Sequence, residues 1–219
     1  MANLKFQHAL RPFVAPALPN AGAEYDQAST QKTNSVLRLY FNQVDALVSS
    51  LVGPTGGSYL SYPYAAVQRT TDKTFTANTA TQVTFDQNDY LNGCTNDGTD
   101  GIHVKYYGIY NYQYSVQWAN TGTQIYAAYI WLRKNGVDVP GTGSKFDVPA
   151  KHGTSDGYLI AVCNFYIDLA PDDTVELWAA VTNSAVYAEA YAAQTSPFAC
   201  PAIPSVVATL TYVSTQPAV

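Results

Sequence analysis

Tyr110-Asn111-Tyr112-Gln113-Tyr114-Ser115-Val116-Gln117-Trp118 puts an aromatic or β-branched residue at every second position and an amide or a serine between them. Successive side chains of a strand point to opposite sides of the sheet, so this alternation predicts a β-strand with one apolar face and one polar face. Such a face belongs either to the core of a sheet packing or to a seam between subunits. Tyr110, Tyr112, Tyr114 and Trp118 are therefore candidates for interface or core.

Working outward, Tyr126 to Arg133 reads as a second strand. It runs into Lys134-Asn135-Gly136-Val137, where Asn-Gly is the favoured pair for a two-residue hairpin turn needing positive φ. Further strand-like runs occupy Tyr158 to Asp168, Thr174 to Val181, Ala185 to Tyr191 and Val206 to Val213. Seven or more short strands separated by turn-rich segments predict a mainly β fold, an antiparallel sandwich, over residues 62–219.

The N-terminal part follows other rules. Over residues 1–31, Pro12, Pro16 and Pro19 remove backbone donors and favour extended geometry, which predicts an arm. Leu4, Phe6, Phe13, Val14 and Leu18 make that arm more apolar than a solvating linker, as expected of a segment that lies on another protein or, alternatively, of a frayed terminus that packs on its own domain. Residues 32–53 carry Leu37, Phe41, Val44, Val48 and Leu51 at steps of four and three, the stripe of one amphipathic helix, with Gly53 and Pro54 to stop it. So short a seam fits either an oligomerisation neck or a helix docked on its own chain. A Gly/Ser/Thr linker over residues 54–61 separates it from the β domain.

Composition removes whole classes of function. The 219 residues are 12% charged against a usual figure of about 25%, and 47% apolar, which excludes disorder and coiled-coil rods for the chain as a whole. The net charge of -5, with no Lys/Arg cluster, makes nucleic acid and anionic membrane poor partners. No uncharged apolar run is long enough for membrane insertion, and Arg11, Pro12 and Pro16 interrupt the stretch a signal peptide would need. Cys94, Cys163 and Cys200 lie far apart without a C-x-x-C pair, which fits a reducing compartment and neither a zinc ribbon nor a disulfide framework.

No catalytic constellation is written in the chain. His152 has Ser155 and Asp156 nearby, but adjacent loop residues seldom converge into a triad. Glu176 and Glu189 are the β-face carboxylates a glycosidase would need, and exposed cross-strand charges explain them as well. Asn96-Asp97-Gly98-Thr99-Asp100-Gly101 has the composition of a calcium loop without the twelve-residue frame or its closing Glu. The expectation is no enzyme, no metal and no cofactor. The 18 tyrosines suit core edges, subunit contacts or sugar stacking, the last drawing on Tyr59, Tyr62, Tyr64, Tyr90 and the neighbours of Trp178.

Three stretches carry a family resemblance. Gly108-Ile109-Tyr110-Asn111-Tyr112-Gln113-Tyr114, then Trp131-Leu132-Arg133-Lys134-Asn135-Gly136, then Leu169-Ala170-Pro171-Asp172-Asp173-Thr174-Val175-Glu176-Leu177 resemble, in order, motifs of C1q/TNF-like domains. The departure is Asp172, where that family usually has Gly. The resemblance covers about residues 62–214 and implies a ten-strand jelly roll that forms a homotrimer around an aromatic-lined axis. On that reading Tyr110, Tyr112, Tyr114 and Trp118 are trimer interface or core.

Pro19 through Tyr25, followed by Leu37-Arg38-Leu39-Tyr40-Phe41-Asn42-Gln43-Val44-Asp45, is similar to the anchor module of bacteriophage structural proteins that carry a C1q/TNF-like knob. This resemblance implies a virion location after assembly in the host cytoplasm. It implies a non-enzymatic capsid decoration (cement) protein or head fibre, attached through its arm to the major capsid protein or to tail or portal components. The alternative is a tail fibre or adhesin that recognises a host-surface glycan.

Overall fold

The computed structural model describes residues 16–18, 26–52 and 62–214, without the side chains of residues 49–52. The chain divides between Ser61 and Tyr62 into two compact units, where the β domain was expected to begin. The linker 54–61 lies outside the described residues, as does most of the arm, including Leu4, Phe6, Phe13 and Val14.

Helix α1 runs Gln27–Val52 and so takes in residues 27–31, which the sequence reading gave to the arm. The cause is a cap. Asp26 accepts the N–H groups of Ala28 at 3.1 Å and Ser29 at 2.9 Å, satisfying donors that a helix start leaves open. Thr30, Thr33 and Ser35 donate their hydroxyls back to carbonyls one turn earlier, which lets a polar first turn stay helical without an apolar stripe.

Thirteen strands follow among the described residues: β1 (Tyr64–Arg69), β2 (Thr81–Val83), β3 (Gln87–Asn92), β4 (Cys94–Thr95), β5 (Ile102–Val104), β6 (Gly108–Asn120), β7 (Tyr126–Lys134), β8 (Val137–Asp138), β9 (Ser144–Val148), β10 (Gly157–Leu169), β11 (Thr174–Val181), β12 (Val186–Ala188) and β13 (Val206–Ser214). They form two sheets. The first has the order β10-β6-β13-β1-β3 with β12 also on β6, and the second β4-β5-β11-β7-β8 with β2 on β11 and β9 on β7. The chain changes sheet eight times among the described strands, at β1/β2, β2/β3, β3/β4, β5/β6, β6/β7, β9/β10, β10/β11 and β11/β12, so sheet neighbours such as β6 and β13 are remote in sequence. This is an antiparallel jelly-roll sandwich.

The alternation that predicted β6 is realised as an inward row. Tyr110, Tyr112, Tyr114, Val116 and Trp118 are all buried between the sheets. Phe75 packs on Trp118 with ring centres 5.4 Å apart, and Tyr212 meets Tyr110 edge-on at 5.7 Å. Each such side chain contributes about 1.5–3 kcal/mol on burial, and Trp118→Ala would cost about 3–5 kcal/mol.

The Asn-Gly turn forms as read. Asn135 (φ 52°) and Gly136 (φ 77°) both sit at positive φ, and Lys134 pairs with Val137 across them. The predicted strand Ala185 to Tyr191 shortens to β12, because the Ala190 N–H leaves the ladder and donates to Asp72 Oδ1 at 2.8 Å.

Candidate interaction surface

Because Tyr110, Tyr112, Tyr114 and Trp118 point into the sandwich, the opposite parity of the same sheet faces outward. On β10 that parity is Tyr158, Ile160, Val162, Asn164, Tyr166 and, at the far end, Asp168, with Tyr158, Ile160, Val162 and Tyr166 each more than half exposed. Register places Val162 opposite Ser115, and Ser115 opposite Val207 of β13, which is itself exposed. Gln113, Ser115, Val162, Val207 and Thr209 border a shallow groove of about 160 Å³ there. No charged residue occurs within 158–166, 111–117 or 207–211. An uncharged face with four large apolar side chains on a thirteen-residue edge strand has the composition of an interface centre.

Of the two roles the sequence left open for Tyr110, Tyr112, Tyr114 and Trp118, the structure gives them the core, and the outward apolar row of β10 is one that sequence reasoning did not single out. The available signal was that Tyr158 to Asp168 is apolar at both even and odd positions, the mark of a strand covered on both sides. The aromatic row of β6 lies inside one protomer, so it does not line an axis between protomers.

In the other unit, Leu18 is exposed outside regular structure. On α1, Leu37 and Val44 are half-buried, Phe41 and Val48 are exposed, and Leu51 falls among the undescribed side chains. Tyr62, Tyr64 and Tyr90 are exposed too; Tyr64 and Tyr90 share the outer parity of the first sheet with Val207.

The titratable candidates separate. Glu176 is not an exposed cross-strand charge: its carboxylate is buried by accepting the Gly136 N–H at 2.7 Å and the Trp178 indole N–H at 2.6 Å. It thus ties β11 to the hairpin beside it. Glu189 accepts the hydroxyls of Tyr187 and Tyr191 at the first sheet. The two glutamates belong to different sheets. His152 and Ser155 are joined backbone to backbone in a tight loop, at 2.8 and 3.1 Å, rather than by their side chains.

The loop before β5 gains a member the sequence did not point to. Asp97, Asp100 and His103 bring one ligand atom each within 4.8 Å of one another, because β5 returns His103 alongside the loop. One Asp97 oxygen already accepts the Thr99 N–H at 2.9 Å and its hydroxyl at 2.8 Å, which hold this carboxyl below its ordinary value. The His103 ring is bonded to the Thr174 hydroxyl at 2.8 Å. Three donors fall short of the six to eight oxygens of a calcium site.

Cys94, Cys163 and Cys200 are free thiols. Burial pushes the Cys94 thiol up to about 12, so it remains protonated and unreactive at neutral pH. No described helix is long and apolar enough to cross a membrane.

Comparison with solved structures finds a likeness of fold. The backbone is similar to that of murine APRIL. Against its crystal structure at pH 5.0 the match covers 69% of this chain and 99% of that one, at 11% sequence identity and a TM-score of 0.45. No family model matches the chain, and no curated protein matches it in sequence.

Proposed function

We propose that the chain is a non-enzymatic structural protein of a bacteriophage virion, a capsid decoration protein or head fibre. In this reading three copies close around the outer face of the first sheet, and the N-terminal segment attaches them to other virion proteins. The observation that carries the proposal is the outer face of β10, β6 and β13, uncharged over residues 158–166, 111–117 and 207–211, since apolar side chains on a long edge strand are normally covered. The count of three comes from the family resemblance, and the virion location from the likeness of residues 19–25 and 37–45 to phage anchor modules. An arm of apolar residues without internal pairing gains about 1.5–3 kcal/mol for each side chain it buries on a preformed surface, multiplied through avidity by three copies.

The test is rebinding to stripped particles, followed by sedimentation. A variant lacking residues 1–25 keeps the Asp26 cap and the whole β unit. It is expected to stay a folded trimer by light scattering and to lose attachment. Cosedimentation equal to that of the full chain would place the docking surface on the jelly roll. A second reading, an adhesin, draws on a different surface, the aromatic side of the second sheet.

A further inference from the structure

On the outer face of the second sheet, register sets Trp131 of β7 directly opposite Trp178 of β11. Both indole N–H groups are committed, Trp131 to Asp138 Oδ1 at 2.7 Å and Trp178 to Glu176 Oε2 at 2.6 Å. The Arg133 guanidinium lies 3.8 Å from the centre of the Trp178 ring and 5.9 Å from that of Trp131. The Trp178 ring is capped closely by the cation, and Trp131, from which the cation is more distant, lines a groove. In the next rung Ala180 is opposite Tyr129, and Tyr129 is opposite Lys145. With only a methyl at residue 180, the surface drops into a groove of about 590 Å³ lined by Tyr129, Trp131, Asp138, Ser144, Lys145 and Ala180.

We propose that this groove binds a neutral saccharide, its C–H face stacked on Trp131 and its hydroxyls met by Asp138 and Lys145. A saccharide is amphipathic in the way this groove is, with an apolar face that suits the negative face of an indole and a polar rim that needs acceptors and donors. Asp138 is 64% exposed, and its two bonds, from Trp131 and Arg133, both use Oδ1, which leaves Oδ2 to accept hydroxyls. Lys145 pairs with Asp147 at 3.0 Å where both side chains are more than half exposed, a contact weak enough for the ammonium to turn toward a ligand. The two charged residues lining the groove, Asp138 and Lys145, are of opposite sign and carboxylates outnumber cations around them, which favours an uncharged occupant over a phosphate or a sulfate. The volume suits one or two sugar rings, while a protein partner would need about 800 Å² of surface on this side. The bond to Asp138 fixes the Trp131 indole in advance, so little ordering entropy opposes binding. This inference is independent of the trimer and of the virion location, since it rests on the other sheet.

The experiment is saturation-transfer NMR on the full chain with methyl β-glucoside, methyl β-galactoside and N-acetylglucosamine at millimolar concentration. Transfer is expected to ring C–H protons of at least one of the three. Ala180→Phe fills the groove and leaves Trp131 in place, so it should weaken binding by at least about tenfold while light scattering stays unchanged. Trp131→Ala should do the same, and if that variant fails to fold, Ala180→Phe decides alone. No transfer from any of the three sugars, or undiminished transfer in Ala180→Phe, would overturn the assignment.

Discussion

Asn135 and Asp173 come from different turns and hold each other: the Asn135 side-chain amide donates to Asp173 Oδ1 at 2.7 Å, while its oxygen accepts the Thr174 N–H at 2.8 Å. The second Asp173 oxygen accepts the Ala170 N–H at 2.7 Å and pairs with Lys134 at 2.7 Å. The β7–β8 hairpin and the turn between β10 and β11 are thereby one polar unit, so a change in either turn should be felt in both.

Gly136→Val should destabilise the jelly roll by more than about 1 kcal/mol. A Cβ there would meet nothing within 4 Å, so the cost comes from a β-branched residue held at φ +77°. Thermal unfolding of the variant checks this, and an unchanged midpoint would show that the turn can relax without loss.

Asp172→Gly should raise stability by about 0.5 kcal/mol, the relief of left-handed strain less the extra freedom of an unfolded glycine. Asp172 occupies φ 68° on an exposed turn, a conformation in which Gly, the residue of the motif this stretch resembles, carries no Cβ penalty. A lowered midpoint in this variant would mean that its carboxylate has a partner worth more than the strain.

Acid should weaken the same end of the sandwich. Burial alone would raise the Asp173 carboxyl, but Lys134, the Ala170 N–H and Asn135 together hold it below its ordinary value of 3.8. A depressed folded value contributes stability that is fully present above 3.8 and is lost as pH falls through the lower folded value. Asp173→Asn should therefore cost about 2 kcal/mol at neutral pH and flatten the fall in melting temperature below pH 4. Parallel acid titrations of the two proteins would contradict this.

Ile160→Glu should convert the proposed trimer to monomers, because a carboxylate at the middle of the proposed interface would be buried without a partner. Ile160 is 63% exposed in the protomer, so folding itself should change by less than about 0.5 kcal/mol. Light scattering and circular dichroism together read the two effects. A wild-type monomer at micromolar concentration, or an intact trimer in the variant, would remove the first sheet from the interface.

What could be read from the chain depended on whether one strand carried the whole signal. β6 has one dry side and one wet side, so its alternation is visible locally, and the Asn135-Gly136 pair needs positive φ whatever surrounds it. β3, Gln-Asn-Asp-Tyr-Leu-Asn, has no buried residue and is a strand because it pairs with β1; β4 and β5 are too short for any period. The polar start of α1 was unread because Asp26, not hydrophobicity, sets it. The groove was illegible for a different reason. Trp131 and Trp178 become neighbours through the register between β7 and β11, just as His103 joins Asp97 and Asp100 through the return of β5, and register between remote segments is not encoded at either residue alone.

The first and last strands of the sandwich start and finish at one end. Tyr64, opening β1, lies opposite Thr211 near the close of β13, and the rings of Tyr62 and Tyr212 stack with centres 6.2 Å apart. The segments 121–125, 149–156 and 189–205 gather at the opposite end, where β6, β9 and β12 hand over to their successors. This polarity makes the domain a natural pedestal for cargo. A peptide inserted near Gly153, in a stretch exposed throughout residues 151–155, would be carried at the end away from Tyr64, whereas one fused after β13 would emerge beside Tyr64.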